Sequence, residues 1–144
     1  ATRDDAMIAD SLFQGSSIPV LEQVVQFTQR RHEILAGNVA NLDTPGYRVR
    51  DLSQGEFESR LQRAIDQRDQ TQSTRSLGNA SSDTGNPLNE VSDDFERMLY
   101  HDESNVSLEE QTREILKNQG RHNMAITIMV SQFELLQAAI SERV

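Results

Sequence analysis

The chain has 144 residues, a formal net charge of −9, no cysteine and no tryptophan. That balance speaks against a nucleic-acid partner, whose binding rests on many Lys and Arg neutralising phosphates, and the lack of cysteine excludes disulfides and thiolate metal sites. Leu, Ile, Val and Phe make up about a quarter of the residues, not far above the ~20% at which highly charged chains tend to stay disordered. Between Asp66 and Asp94 the only large aliphatics are Leu77, Leu88 and Val91, so the core is expected from the two ends of the chain.

Residues 1–16 read as a flexible N-terminal segment, in which Asp4, Asp5 and Asp10 interrupt anything like the apolar stretch of a cleavable signal. Ser17-Ile18-Pro19 reads as a helix start, with Ser17 as the cap and proline in the first turn. Val20, Leu21, Val24, Val25, Phe27, Ile34, Leu35, Val39 and Leu42 then recur at helical spacing and predict a helix over 17–43. Arg30 and Arg31 fall in its polar gap and read as a solvated face. Gly37 costs roughly 0.5–1 kcal/mol inside a helix unless it admits a close neighbour.

Asn38 and Asn41 lie three residues apart, share a helix face, and can offer amide donors and acceptors to a neighbouring chain. The plainer alternative is that such amides satisfy the last carbonyls of their own helix. Thr44 precedes Pro45 and is pushed out of the helical region, which ends the helix near Leu42 or Asp43. Pro45 and Gly46 suit the central positions of a type II turn, and Tyr47 follows as an anchor.

Beyond the turn, Phe57, Leu61, Ala64 and Ile65 predict a short amphipathic helix starting near Glu56, so that residues 44–66 hold the turn and that helix. Residues 67–91 are rich in Gln, Ser, Thr, Asn, Asp and Gly and read as a polar linker, extended or disordered. Ser92-Asp93-Asp94 is expected to cap a short helix carrying Phe95, Met98 and Leu99 within a connection over 92–106.

Ser107-Leu108-Glu109-Glu110 fits a capping box pairing Ser107 with Glu110 and opens a C-terminal helix over 107–144. Steps of four and three give a seam through Leu108, Thr112, Ile115, Gln119, His122, Ile126, Met129, Phe133, Leu136 and Ile140. Joined to Leu21, Leu35 and Leu42, it predicts an all-α fold in which long N- and C-terminal helices pair as an antiparallel coiled coil. Ile128, Val130 and Leu135 fall off the seam and widen the apolar surface beyond one partner helix. No stretch approaches ~20 apolar residues, so the chain is expected not to span a membrane.

No reaction chemistry stands out. His32, His101 and His122 are scattered, without a second ligand three or four residues away. Glu109, Glu110 and Glu114 read as a solvated helix face near a helix N-terminus. The nucleophile elbow, phosphate loop and dinucleotide fingerprint are missing. The expectation is a protein that is not an enzyme, with no catalytic residues, metal, cofactor or small-molecule substrate.

The run from Arg31 to Asp51, with Asn38, Ala40, Asn41, Asp43-Thr44-Pro45-Gly46-Tyr47, Arg50 and Asp51, resembles the N-terminal signature of bacterial flagellar axial proteins, most closely the FlgB type of proximal rod protein. A weaker resemblance starts at Asn105-Val106 and continues through Glu109, Asn118 and the C-terminal apolar helix. Together they cover roughly half the chain, and Gly37, Ser104 and His122 depart from the pattern, where alanine, glycine and tyrosine are usual.

The resemblance implies a structural subunit of the flagellar basal-body rod, periplasmic and exported without a cleavable signal peptide. It further implies packing with copies of itself and other rod and basal-body proteins into a tubular, torque-transmitting shaft. Uncovered apolar stripes would leave the terminal helices to fold on assembly. The alternatives are a soluble helical adaptor or export chaperone that offers its stripe to a partner peptide, or another rod component of the same family.

Overall fold

The computed structural model describes residues 12–13, 15–76, 85–102 and 107–142. In chain order it has α1 (Ile18–Ala40), β1 (Val49–Leu52), α2 (Gln54–Ser76), α3 (Pro87–Asp93), a 3₁₀ turn (Phe95–Met98), β2 (Leu99–Asp102) and α4 (Leu108–Ser141). The fold is mostly helical, but not all-α: β1 and β2 form an antiparallel pair, with Val49 opposite Asp102 and Leu52 opposite Leu99. Two four-residue strands carry too little alternation to be read from periodicity.

Local side chains set the helix starts. At α1 Ser17 holds the cap position without a side-chain bond, and the Oγ of the preceding Ser16 accepts from the Ile18 amide at 3.3 Å. Asn86 accepts from the Leu88 amide at 3.1 Å ahead of Pro87 and α3. Ser107 accepts from the Glu110 amide at 3.3 Å and opens α4. Ser53 accepts from the Glu56 amide at 3.3 Å, so α2 starts slightly earlier than expected.

The linker reading of 67–91 is corrected at both ends. α2 continues to Ser76, because Gln and Arg are good helix formers even without an apolar stripe, and the Thr71 and Thr74 hydroxyls donate to the carbonyls of Gln67 and Gln70 one turn back. Residues 87–91 belong to α3. The rest of that linker (77–84), most of the segment 1–16, the connection 103–106 with Ser104, Asn105 and Val106, and residues 143–144 lie outside the described residues. Phe95 and Met98 sit in the 3₁₀ turn, and Leu99 begins β2.

The core is built by α1 with the middle of the chain, not by the two ends. Phe27 stacks on Phe57 with ring centroids 4.0 Å apart, and Phe95 meets both edge-on at 5.7 and 6.1 Å. Ile34, Leu52, Ala64, Leu88, Val91 and Met98 close around these rings. The two described aliphatics of the polar middle, Leu88 and Val91, are both buried there, and Asp94 pairs with Arg60 across its edge. α4 contributes one buried apolar side chain, Ala125.

Along the α1–α4 contact, Thr28 meets Asn118 and His122, Arg31 meets Glu114, and Asn38 meets Gln111. Rising numbers on one helix meet falling numbers on the other, so the two run in opposite directions. The buried positions on α4 are Gln111, Asn118 and Ala125. They replace Thr112, Gln119 and Ile126 of the expected seam, while Ile115, His122, Met129 and Leu136 are half-buried beside them. Counting apolar residues passes over buried amides, which explains the one-position offset.

Of the other expected seam positions, Leu35 is buried, Leu21, Leu42 and Ile126 are half-buried, and Phe133 and Ile140 are exposed. A Cβ on Gly37 would meet nothing within 4 Å, so this glycine does not serve close helix approach within the subunit. Most of the C-terminal two thirds of α4 is apolar and little of it is buried. By length and composition this helix could cross a membrane, which corrects the expectation that no stretch is apolar enough.

Phe57→Ala should therefore destabilise the chain by about 3–5 kcal/mol, as expected for an aromatic removed from a packed core. Gly37→Ala should stabilise it by roughly 0.5–1 kcal/mol. Urea titration followed by circular dichroism measures both, and no loss in Phe57→Ala would contradict the core assignment.

Candidate functional site

The residues that single out this sequence converge on one buried side chain. Asn38 is 0% exposed. Its Nδ2 donates to the Arg50 carbonyl at 2.6 Å and to Gln111 Oε1 at 3.0 Å, and its Oδ1 accepts from the Tyr47 hydroxyl at 3.0 Å and the Arg50 amide at 3.1 Å. A primary amide has two N–H groups and two lone pairs, and all four are used. By bonding both backbone groups of Arg50, the side chain acts on β1 as a neighbouring strand would.

Asn38 therefore offers nothing to a second chain, which corrects the idea that it presents its amide outward. Asn41 follows the plainer alternative: its Nδ2 donates to the Gly37 carbonyl at 2.8 Å, and its Oδ1 accepts from Thr44 Oγ1 at 3.4 Å. The Tyr47 amide donates to the Thr44 carbonyl at 3.1 Å around Pro45 and Gly46, and Gly46 takes a φ of +77°. That is the left-handed position of a type II turn, which favours glycine. Asp43, Thr44, Pro45 and Gly46 are exposed.

Arg31 is the second node and was misread as solvated. It is 5% exposed, and its Nε and Nη2 donate to the two carboxylate oxygens of Asp51, each at 2.9 Å. Nη2 also donates to Glu114 Oε2 at 2.9 Å. Burial disfavours the guanidinium charge, but the bonds and charges of Asp51 and then Glu114 outweigh it and raise its pKa. The Glu114 carboxyl is held below the usual glutamate range by its bond from Lys117, against a burial penalty, and by Arg31. Arg30, by contrast, is exposed and bridges Glu33 and Glu96.

Two further bonds complete the α1–α4 face. Asn118, 1% exposed, donates to the Thr28 carbonyl at 2.7 Å, and Thr28 Oγ1 lies 2.8 Å from His122 Nδ1. The polar ladder from Gln111 to His122 thus holds α4 in register. Among polar residues, α4 also leaves large apolar side chains exposed: Leu116, Met124, Val130, Phe133, Leu135 and Ile140. Beside it, Leu21, Val24, Phe57, Leu61, Met124 and Ile128 line a groove of about 300 Å³ between α1, α2 and α4.

Residues 26–48, which run from the aromatic core through Arg31 and Asn38 to the turn, match the family model described as flagella basal body rod protein. Over 121 residues the chain is 27% identical to the flagellar basal body rod protein FlgB of Salmonella typhimurium, covering 78% of this chain and 84% of that one. It is 46% identical over 41 residues to FlgB of Aquifex aeolicus and 39% identical over 46 residues to FlgB of Yersinia ruckeri. Together these matches support a FlgB-type flagellar rod protein. The last two matches span about a third of each relative's length, 32% and 31%. No solved structure matches the chain.

Geometry adds to this what the sequence left unread. Gln111, Glu114 and Thr28 hold the chain together, yet each looks like an ordinary surface residue in sequence. Arg31 and Asp51 stood at the two ends of the matching run, and only the fold brings their opposite charges together.

Asn38→Asp keeps the shape but replaces both donors with an acceptor facing the Arg50 carbonyl and Gln111. It should cost about 2–4 kcal/mol, against about 1 kcal/mol for Asn41→Ala, in urea titrations. Acid should act through Glu114. Its folded pKa is below its unfolded one, so its contribution is full above the ordinary value of 4.5 and fades as pH falls through the folded value. Glu114→Gln should flatten that part of the acid limb, and an unchanged limb would contradict the pairing.

Proposed function

We propose that this chain is a self-assembling structural subunit of the flagellar basal-body rod, acting by helix packing and not by catalysis. In this reading α1 and α4 form the antiparallel coiled-coil layer of a tubular shaft in the periplasm. Copies of the chain and other rod and basal-body proteins cover the apolar surface of α4, and torque passes through those contacts. The chain would reach the rod through a dedicated export route without cleavage of a signal peptide.

The observation that supports this most is the placement of apolar residues on α4. A helix docked on its own core largely by hydrogen bonds, with Leu135 at 61% and Phe133 at 47% exposure on different sides of it, leaves apolar surface of the kind that marks an interaction site.

Leu135→Asp tests the reading, because this side chain touches little within the subunit. The variant should keep the helicity and urea midpoint of the parent while abolishing rods and swimming at equal protein levels. Gln70→Asp, on the exposed face of α2, should leave both intact. Equal swimming by the two variants would overturn the proposal.

A further inference from the structure

We propose that Arg50 and His101 form a seat for a carboxylate presented by a different protein, at the rim of the β1–β2 pair. This goes beyond the rod reading and does not depend on it. Among the described side chains, Arg31, Arg50, Arg60 and Arg68 are the arginines buried or half-buried. Arg31 has Asp51 and Glu114, Arg60 has Asp94, and Arg68 has Asp69. Arg50 is the exception. Among the described residues its guanidinium makes no ion pair and no hydrogen bond, and its Nε is buried without an acceptor. A desolvated donor without a partner is unfavourable, so this side chain loses little by turning outward to meet one.

Strand pairing sets a second base beside it. Both backbone groups of Arg50 bond Asn38 and so face away from β2. Arg50 therefore stands opposite His101 as a non-hydrogen-bonded pair, the kind in which facing side chains approach most closely. By alternation, Leu52 and Leu99 share this face, and they pack in and against the aromatic core. Asp51, Tyr100 and Asp102 fall on the opposite face, where Asp51 meets Arg31. Within the two strands, one face thus carries two bases and no acid, and runs from buried Leu52 through half-buried Arg50 to exposed His101.

Charge and shape select the ligand. The guanidinium offers a fork of N–H groups and the imidazole one more, which suits the two oxygens of a carboxylate. One fixed positive charge matches its single negative charge, whereas a phosphate monoester at about −1.5 to −2 calls for more. Arg31 makes the same kind of clamp inside the subunit, with two bonds of 2.9 Å to Asp51. A free acid at an open rim gains this one clamp against water and screening. An aspartate or glutamate on a docked protein adds the surrounding contact, with the charge pair fixing orientation. Copies at net charge −9 repel one another, which favours a different, less acidic protein as the carrier.

The arginine Nε–H signals in NMR spectra of the isotope-labelled full-length chain report the site, with Arg50→Lys assigning the Arg50 signal. Sodium acetate is exchanged for sodium chloride at constant ionic strength. The expected result is a saturable shift of Arg50 in the millimolar range, several-fold tighter than that of exposed Arg113 and weakened several-fold in His101→Ala. His101 is exposed, so that variant should keep the parent's circular dichroism spectrum. Arg50 shifting no more than Arg113, no effect of His101→Ala, or a several-fold stronger response to phosphate overturns the site.

Zero-length coupling identifies the carrier. Lys117 is the one lysine of the chain, so with Lys117→Arg and Arg50→Lys the only side-chain amine stands at position 50. Carbodiimide treatment of permeabilised cells of origin carrying this chain should join that amine to one defined aspartate or glutamate of a different protein, named by mass spectrometry of the linked peptides. Adding His101→Ala should lower the yield several-fold. Coupling confined to this chain or its copies, coupling scattered over many acids, or no coupling while acetate still titrates Arg50 overturns the protein carrier.

Discussion

A single buried amide with no spare capacity constrains most of this fold. Asn38 has four hydrogen-bonding sites and four partners, drawn from the turn, both backbone groups of Arg50 in β1, and Gln111 of α4. Leaving one unmet would cost a desolvated polar group about 1–3 kcal/mol. The turn must therefore return the chain at the distance that puts Tyr47 and Arg50 against the end of α1. Gly46 at positive φ and the Asn41 bonds achieve this. Once β1 is placed, Asp51 faces Arg31, and the pair captures Glu114 from α4.

That arrangement divides the molecule into two kinds of attachment. α1, α2, α3 and the strands are joined by aromatic and aliphatic packing around Phe27, Phe57 and Phe95. α4 is joined by hydrogen bonds and an ion-pair triad, with Ala125 as its sole buried apolar residue. Hydrogen bonds fix register sharply but contribute little net stability each, whereas apolar contacts tolerate sliding. A polar inner face thus aligns α4 while leaving its apolar residues free for other contacts. The reverse choice would strengthen the monomer and empty the outer surface.

What the sequence disclosed follows from which signals are local. The turn at Thr44-Pro45-Gly46-Tyr47, the Ser107 cap and the long helices at both ends depend on neighbours a few residues away. They could be read directly. The α1–α4 seam was found to within one position, because heptad counting tracks apolar residues and Gln111 and Asn118 are not apolar. Arg31 was read as solvated because its partners Asp51 and Glu114 lie 20 and 83 residues off. The core was sought at the chain ends because the middle is poor in aliphatics, yet Phe57, Leu88, Val91 and Phe95 suffice when Phe27 supplies the stacking partner. Residue count measures how much apolar material exists, not where it meets.

The family match sharpens this. Residues 26–48 include Phe27, Thr28, Arg31, Ile34, Leu35, Asn38, Asn41 and Tyr47, which mostly point into the subunit. The exposed apolar residues of α4 lie outside that stretch. Recognition of the family thus rests on the device that positions α4, while the surface that would meet neighbours is carried elsewhere. A subunit of a mixed assembly has reason to be built this way. Its internal geometry must be held constant for the helices to stack, whereas its outer face must differ wherever it meets a different neighbour. Substitutions at Leu135 or Phe133 can change the exposed surface of α4 without disturbing the hydrogen-bond ladder, because no rung of that ladder reaches them.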